Sequence, residues 1–155
     1  MRIVLIGVSG CGKTAVGKAL ATKLGIPFYD GDLFHPEANK EKMAHGIPLT
    51  DEDRRPFLEA LAKLLKEESS LVLACSALKE SYRKALRVAP DICFIYLKGS
   101  PELIRKRLEA RKGHFFDPKL LDSQFEALKE PTDAIVVDAS PPPVEEVVDQ
   151  ILKNI

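Results

Sequence analysis

An apolar run, "RIVLI" (2–6), opens directly into "GVSGCGKT" (7–14). Gly7, Gly12, Lys13 and Thr14 match the spacing G-x-x-x-x-G-K-[ST], which works only between a buried strand and a helix N-terminus. Glycines let the backbone curl into a nest of N–H groups aimed at phosphate oxygens. The helix that follows adds positive potential. The loop therefore predicts ATP contacts from Gly7, Val8, Ser9, Gly10, Cys11, Gly12, Lys13 and Thr14. Lys13 is expected at the β and γ phosphates and the Thr14 hydroxyl at Mg²⁺. The bland alternative, a glycine-rich turn with no ligand, is opposed by both flanks.

The loop demands an α/β fold, and the chain supplies one. "IPFYD" (26–30), "SLVLACS" (70–76), "ICFIYL" (92–97) and "AIVVD" (134–138) read as further strands. Between them, residues 12–24 carry Val16, Leu20 and Leu24 on one helical face. Residues 56–67 space Phe57, Leu58, Leu61, Leu64 and Leu65 helically, with Pro56 as a first-turn residue. The stretches 79–88, 101–111 and 118–128 also read as helices. A last helix carries Val144, Val147, Val148, Ile151 and Leu152 on one side. Five apolar strands alternating with helices predict a five-stranded parallel sheet covered on both faces. At 155 residues this is one domain, 1–155, large enough to bury about two thirds of its unfolded surface.

Charge limits the partners. Lys plus Arg is 23 and Asp plus Glu is 23, so no bulk field draws nucleic acid or an anionic membrane. Any bound anion must be held by a local cluster. No apolar stretch approaches the roughly 20 residues of a membrane span, and "MRIVLIGVSG" turns glycine-rich too soon for a signal peptide. Cys11, Cys75 and Cys93 fit no metal or redox spacing. A cytoplasmic protein with free thiols is the expectation.

A phosphoryl-transferring loop also needs acids. "LVLACS" ends without one, whereas "YDGD" follows the second strand. Asp30 is expected to help hold Mg²⁺ and Asp32 to take the proton of an attacking hydroxyl. A plain β-turn accounts for D-G-D equally simply. In "PELIRKRLEAR" (101–111), a buried stripe through Ile104 and Leu108 leaves Arg107 and Arg111 to reach inward to phosphates. "KGHFFDPK" (112–119) suits a lid, at about 112–118. The polar segment 31–55, broken by Pro36, Gly46 and Pro48, reads as a functional insertion. His35, Lys42, Arg54, Lys79 and Arg83 form a second basic set. Lys79 and Arg83 are read as four apart on one helix face after the third strand, where α/β sheets bind ligands. With Asp32 they would suit a small, hydroxylated, anionic substrate. His45 reads as a surface residue.

The chain resembles the bacterial and eukaryotic gluconokinases. The likeness runs from about residue 3 to about 138 through "GVSGCGKT", "DGDLFHPEANKEKMAHGIPLTDEDRRPFL", "CSALKESYRKALR", "FIYLKG" and "RLEARKGHFF...LLDSQFEALKEP". It implies a shikimate-kinase-like or nucleoside-monophosphate-kinase-like fold and transfer of the ATP γ-phosphate to the 6-hydroxyl of D-gluconate. A homodimer is often part of that resemblance. It aligns Lys13 and Thr14 with the family's phosphate loop and Asp32 with its D-G-D acid. His35, Lys42, Arg54, Lys79, Arg83 and His114 fall in the blocks around its sugar-acid pocket. Cys11 stands where many members have serine or alanine, and Phe57 where tryptophan is usual. Two rival readings are another small-metabolite kinase of the same fold and a nucleotide-binding regulatory module.

Overall fold

The structure is a computed structural model. It describes residues 1–8, 12–99, 101–110, 124–125, 128, 131, 134–138 and 143–155, although the side chains of 101, 103, 107, 108 and 110 fall outside that description. The expected helix 118–128 and the lid 112–118 lie largely or wholly outside the described residues.

Strands β1 (Arg2–Ile6), β2 (Phe28–Asp30), β3 (Leu71–Ala74), β4 (Ile92–Lys98) and β5 (Ile135–Asp138) form one parallel sheet in the order β2-β3-β1-β4-β5. The strand carrying the phosphate loop is thus central, as the loop's chemistry requires. Its side chains alternate between two cores. Ile3 and Leu5 join Val16 and Leu20 of α1 (Lys13–Leu24) and Val147, Val148 and Ile151 of the C-terminal helix Val144–Asn154. Val4 and Ile6 face the opposite core, built on Leu61 and Leu65 of Asp51–Glu67 and Leu86 of Glu80–Leu86. Both faces being covered explains why the strands read as unbroken apolar runs.

Segment 31–55 is not one irregular insertion. It holds a 3₁₀ turn (Gly31–Phe34), α2 (Glu37–Ala44) and the first five residues of α3 (Asp51–Glu67). The start of α3 corrects the expectation of a helix opening at Pro56. Thr50 caps it: its hydroxyl accepts from the Asp53 N–H, and Asp53 Oδ2 accepts from the Thr50 N–H, each at 3.0 Å. Pro56 lies inside the helix, on an exposed face where water can serve the carbonyl that loses its N–H partner. After β3 comes α4 (Glu80–Leu86), then β4, α5 (Pro101–Ala110), β5 and α6 (Val144–Asn154). Among the described residues, no helix is long and apolar enough to cross a membrane.

Candidate active site

Three connections meet at the C-terminal edge of β1, β2 and β3, where parallel sheets bind ligands. The first is the phosphate loop. Gly12 takes φ 95° and ψ 16°, a left-handed conformation that a side chain would strain. It delivers Lys13 as the first residue of α1. Lys13 is 9% exposed, and its Nζ donates to the Gly7 and Val8 carbonyls at 2.8 and 2.9 Å. Thr14 is exposed beside it. Ser9, Gly10 and Cys11 lie outside the described residues.

The second connection is the 3₁₀ turn after β2. Asp30 accepts the Asp32 N–H at 3.0 Å, which caps the turn that carries Asp32. Gly31 has a packing reason to be glycine. A Cβ there would lie 2.6 Å from the Ala74 carbonyl oxygen and 2.9 Å from Cys75 Cβ. The D-G-D turn is therefore pressed against the end of β3. Cys75, directly beneath, reports the charges around it. Burial pushes its thiol up to about 12, the Lys13 ammonium draws it back down, and Asp32 pushes it up. Lys13 and Asp32 thus act on one buried atom from the two loops.

The third connection, 75–78, is strained. Ala77 has φ 36°, a region non-glycine residues rarely visit. Arg83, 3% exposed, donates through Nη1 to the Ala77 and Leu78 carbonyls, each at 2.9 Å. The expectation of Lys79 and Arg83 on one helix face needs correction. Lys79 is the cap residue preceding α4 and pairs with Asp51 at 3.0 Å, whereas Arg83 lies within α4 and turns inward.

Asp32, His35, Arg54, Phe57, Ser76, Ala77, Tyr82 and Gln124 are among the residues lining one pocket. His35 is 8% exposed and stacks on Phe57, with ring centroids 3.7 Å apart and planes 6° from parallel. Burial first, then the Arg54 and Lys40 cations, hold its imidazole down at about 4, so it is neutral at pH 7. Arg54 donates through Nη1 to the Tyr82 hydroxyl at 3.0 Å and lies over that ring. Tyr82 in turn donates to Asp51. Lys42 pairs with Asp53 at 2.9 Å, so its ammonium braces α2 against the cap of α3. His45 is exposed. Of the second basic set, His35 and Arg54 share the pocket with Asp32, while Lys42, Lys79 and Arg83 hold its frame. The Arg107 side chain, Arg111 and His114 lie outside the described residues.

Tyr82 and Gln124 line this pocket without having been expected there, and Asn39 and Asp51, not expected as site residues, stand behind it on His35 and Tyr82. The spacing His35-x-x-x-Asn39 was the signal available for Asn39, and the Tyr82–Arg83 pair inside "SYRKAL" for Tyr82. The hydroxyl of Thr14 and the carboxylate of Asp30 are each hard oxygen donors of the kind Mg²⁺ takes.

A sequence model of the family described as Shikimate kinase matches residues 9–155. The thermoresistant gluconokinase of Escherichia coli (strain K12) is 50% identical over 148 residues, covering 90% of this chain and 85% of that one. The gluconokinase of Gluconobacter oxydans (strain 621H) is 46% identical over 136 residues, covering 84% and 76%. Among solved structures, a gluconokinase from Sinorhizobium meliloti 1021 superposes with a TM-score of 0.88 at 43% identity, covering 98% of this chain and 89% of that one. A shikimate kinase from Bacteroides thetaiotaomicron shares the fold, with a TM-score of 0.75 at 21% identity and coverage of 99% and 97%.

Proposed function

We propose that this chain, which belongs to the gluconokinases within the shikimate kinase family, transfers the γ-phosphoryl group of ATP to the 6-hydroxyl of D-gluconate. One observation carries the reading. Asp32 lines a pocket with His35 and Arg54, and its turn is packed against the end of β3, the strand paired with the one that leads into the phosphate loop. A carboxylate, a neutral imidazole and a guanidinium lining one pocket at the same sheet edge as a phosphate loop suit a polyhydroxy acid better than a base or a peptide.

In this reading the loop N–H groups and the N-terminus of α1 hold the triphosphate. Thr14 and Asp30 would hold Mg²⁺, which neutralises phosphate charge when bound. Asp32 orients the attacking hydroxyl and takes its proton as the O–P bond forms and the bond to ADP breaks. Arg54 pairs with the gluconate carboxylate. Lys13, with Arg107 or Arg111, offsets charge on the transferred group, and closure of 112–118 excludes water. Lys42, Lys79 and Arg83 act through the frame they brace, and His114 belongs to the same sugar-acid block by resemblance. Free thiols at Cys75 and Cys93 support a cytoplasmic setting. A homodimer rests on the family resemblance.

Replacing Asp32 by Asn tests the assignment. Gluconate-dependent ADP release is expected to fall by about 10² to 10⁴, the worth of a positioned base, while ATP affinity holds. Unchanged turnover excludes Asp32 as the base.

A further inference from the structure

Asn39, 4% exposed, and His35, 8% exposed, are buried polar side chains at the pocket. Asn39 is not in the pocket lining, and the phosphoryl transfer above gives it no task. Its amide makes two contacts through one atom. Nδ2 lies 2.7 Å from the Asp53 carbonyl oxygen and 3.2 Å from His35 Nδ1.

A carbonyl oxygen only accepts, so the amide end facing Asp53 is the NH₂ end. The Nδ2 that faces His35 therefore has a hydrogen to give and no lone pair to receive one. His35 Nδ1 must be the acceptor, and the ring proton must sit on Nε2. Reversing the ring would place a C–H against the amide hydrogen. The face-to-face packing on Phe57 also holds the plane. Of the charged and titratable groups around the ring, the Lys40 cation on α2 and the Arg54 cation on α3 favour the neutral form and prevail with burial, while the Asp32 carboxylate on the 3₁₀ turn works the other way and Tyr82 on α4 lines the same pocket. The two cations oppose a third.

We propose that Asn39 is a positioning residue that fixes His35 as the Nε2–H tautomer, so that His35 offers the pocket one directional donor for a substrate hydroxyl. The proposal rests on the gluconokinase reading for the identity of that hydroxyl's owner. It divides the labour in the pocket: Arg54 takes the carboxylate, Asp32 takes the reacting hydroxyl, and His35 recognises a neutral oxygen on the chain between. It also gives the spacing H-x-x-x-N a cause. The Asp53 carbonyl that anchors Asn39 sits in the first turn of α3, held by the Thr50 cap and the Lys42 ion pair.

The test is long-range ¹H–¹⁵N correlation on histidine-labelled protein at pH 7. The chain has three histidines, and His35→Gln identifies the signal. The expected pattern for His35 is a protonated, pyrrole-type Nε2 and an unprotonated, pyridine-type Nδ1. An Nδ1–H tautomer or an imidazolium overturns the proposal. Asn39→Asp exchanges the donor for an acceptor and is expected to move a proton onto Nδ1. An unchanged ring pattern in that variant also overturns it. Gluconate is expected to shift the Nε2 resonance of the wild type, and KM for gluconate to rise in Asn39→Asp with KM for ATP unchanged. If gluconate is turned over but leaves Nε2 unmoved, the donor role of His35 is overturned, whereas absence of gluconate turnover in the wild type overturns the gluconokinase reading instead.

Discussion

At the scale of single residues, His35 ties stability to pH. An imidazole that ordinarily titrates at 6.5 and is held at about 4 when folded binds its proton more readily in the unfolded chain. Its neutral burial costs nothing above pH 6.5, and stability is lost as pH falls from 6.5 toward 4. Asp53 adds a lower window. The Thr50 backbone N–H first, then Lys42, hold it at about 2 rather than 3.8. Its contribution is full above pH 3.8 and is lost as pH falls toward 2. Melting temperatures between pH 7 and pH 4 are therefore expected to decline, with His35→Gln flattening the decline above pH 4. An equal slope in both proteins contradicts the burial argument. The same residues show what a sequence discloses at this scale. Asp32, His35 and Arg54 were singled out from the sequence as an acid and two bases, and the structure lines one pocket with all three. Lys42 and Lys79 were legible only as cations. Their partners Asp53 and Asp51 lie 11 and 28 residues away, and no local pattern distinguishes a brace from a ligand contact.

At the scale of elements, the joint between α3 and α4 carries the acceptor side of the site. Asp51 and Arg54 come from the first turn of α3, and Lys79 and Tyr82 from the start of α4. The Tyr82 hydroxyl joins them, accepting from Arg54 and donating to Asp51, while Arg54 and Lys79 lie 5.1 and 5.5 Å from its ring centroid. Tyr82→Phe keeps the ring and removes the hydroxyl that aims Arg54. KM for gluconate is expected to rise about tenfold, the worth of one hydrogen bond to a charged group, with KM for ATP unchanged. A parallel rise in both constants would mean the joint supports the fold rather than the pocket. Helix periodicity found α3, but its start was misread at Pro56. A proline inside a helix looks like a beginning, and the reciprocal cap T-x-x-D from Thr50 to Asp53 was the stronger signal. Phe57 was legible as an aromatic in place of tryptophan. Its stacking under His35 was not, because face-to-face packing depends on where α2 and α3 cross.

At the scale of the whole molecule, the account depends on strand order. Placing β1 between β3 and β4 brings the loop after β1, the turn after β2 and the strained 75–78 connection to one edge. The class of fold was legible from five apolar runs alternating with helices. The order β2-β3-β1-β4-β5 was not, since strands buried on both faces carry nothing that marks their neighbours. The central claim is that this edge delivers ATP to a hydroxyl of gluconate, and the substrate itself is the most direct probe. ADP release should be measured with ATP and Mg²⁺ against D-gluconate, other sugar acids, shikimate and nucleoside monophosphates in turn. The account predicts release that depends on gluconate and exceeds that with every other acceptor. Release that ignores gluconate, or that is faster with shikimate or a nucleotide, would contradict it.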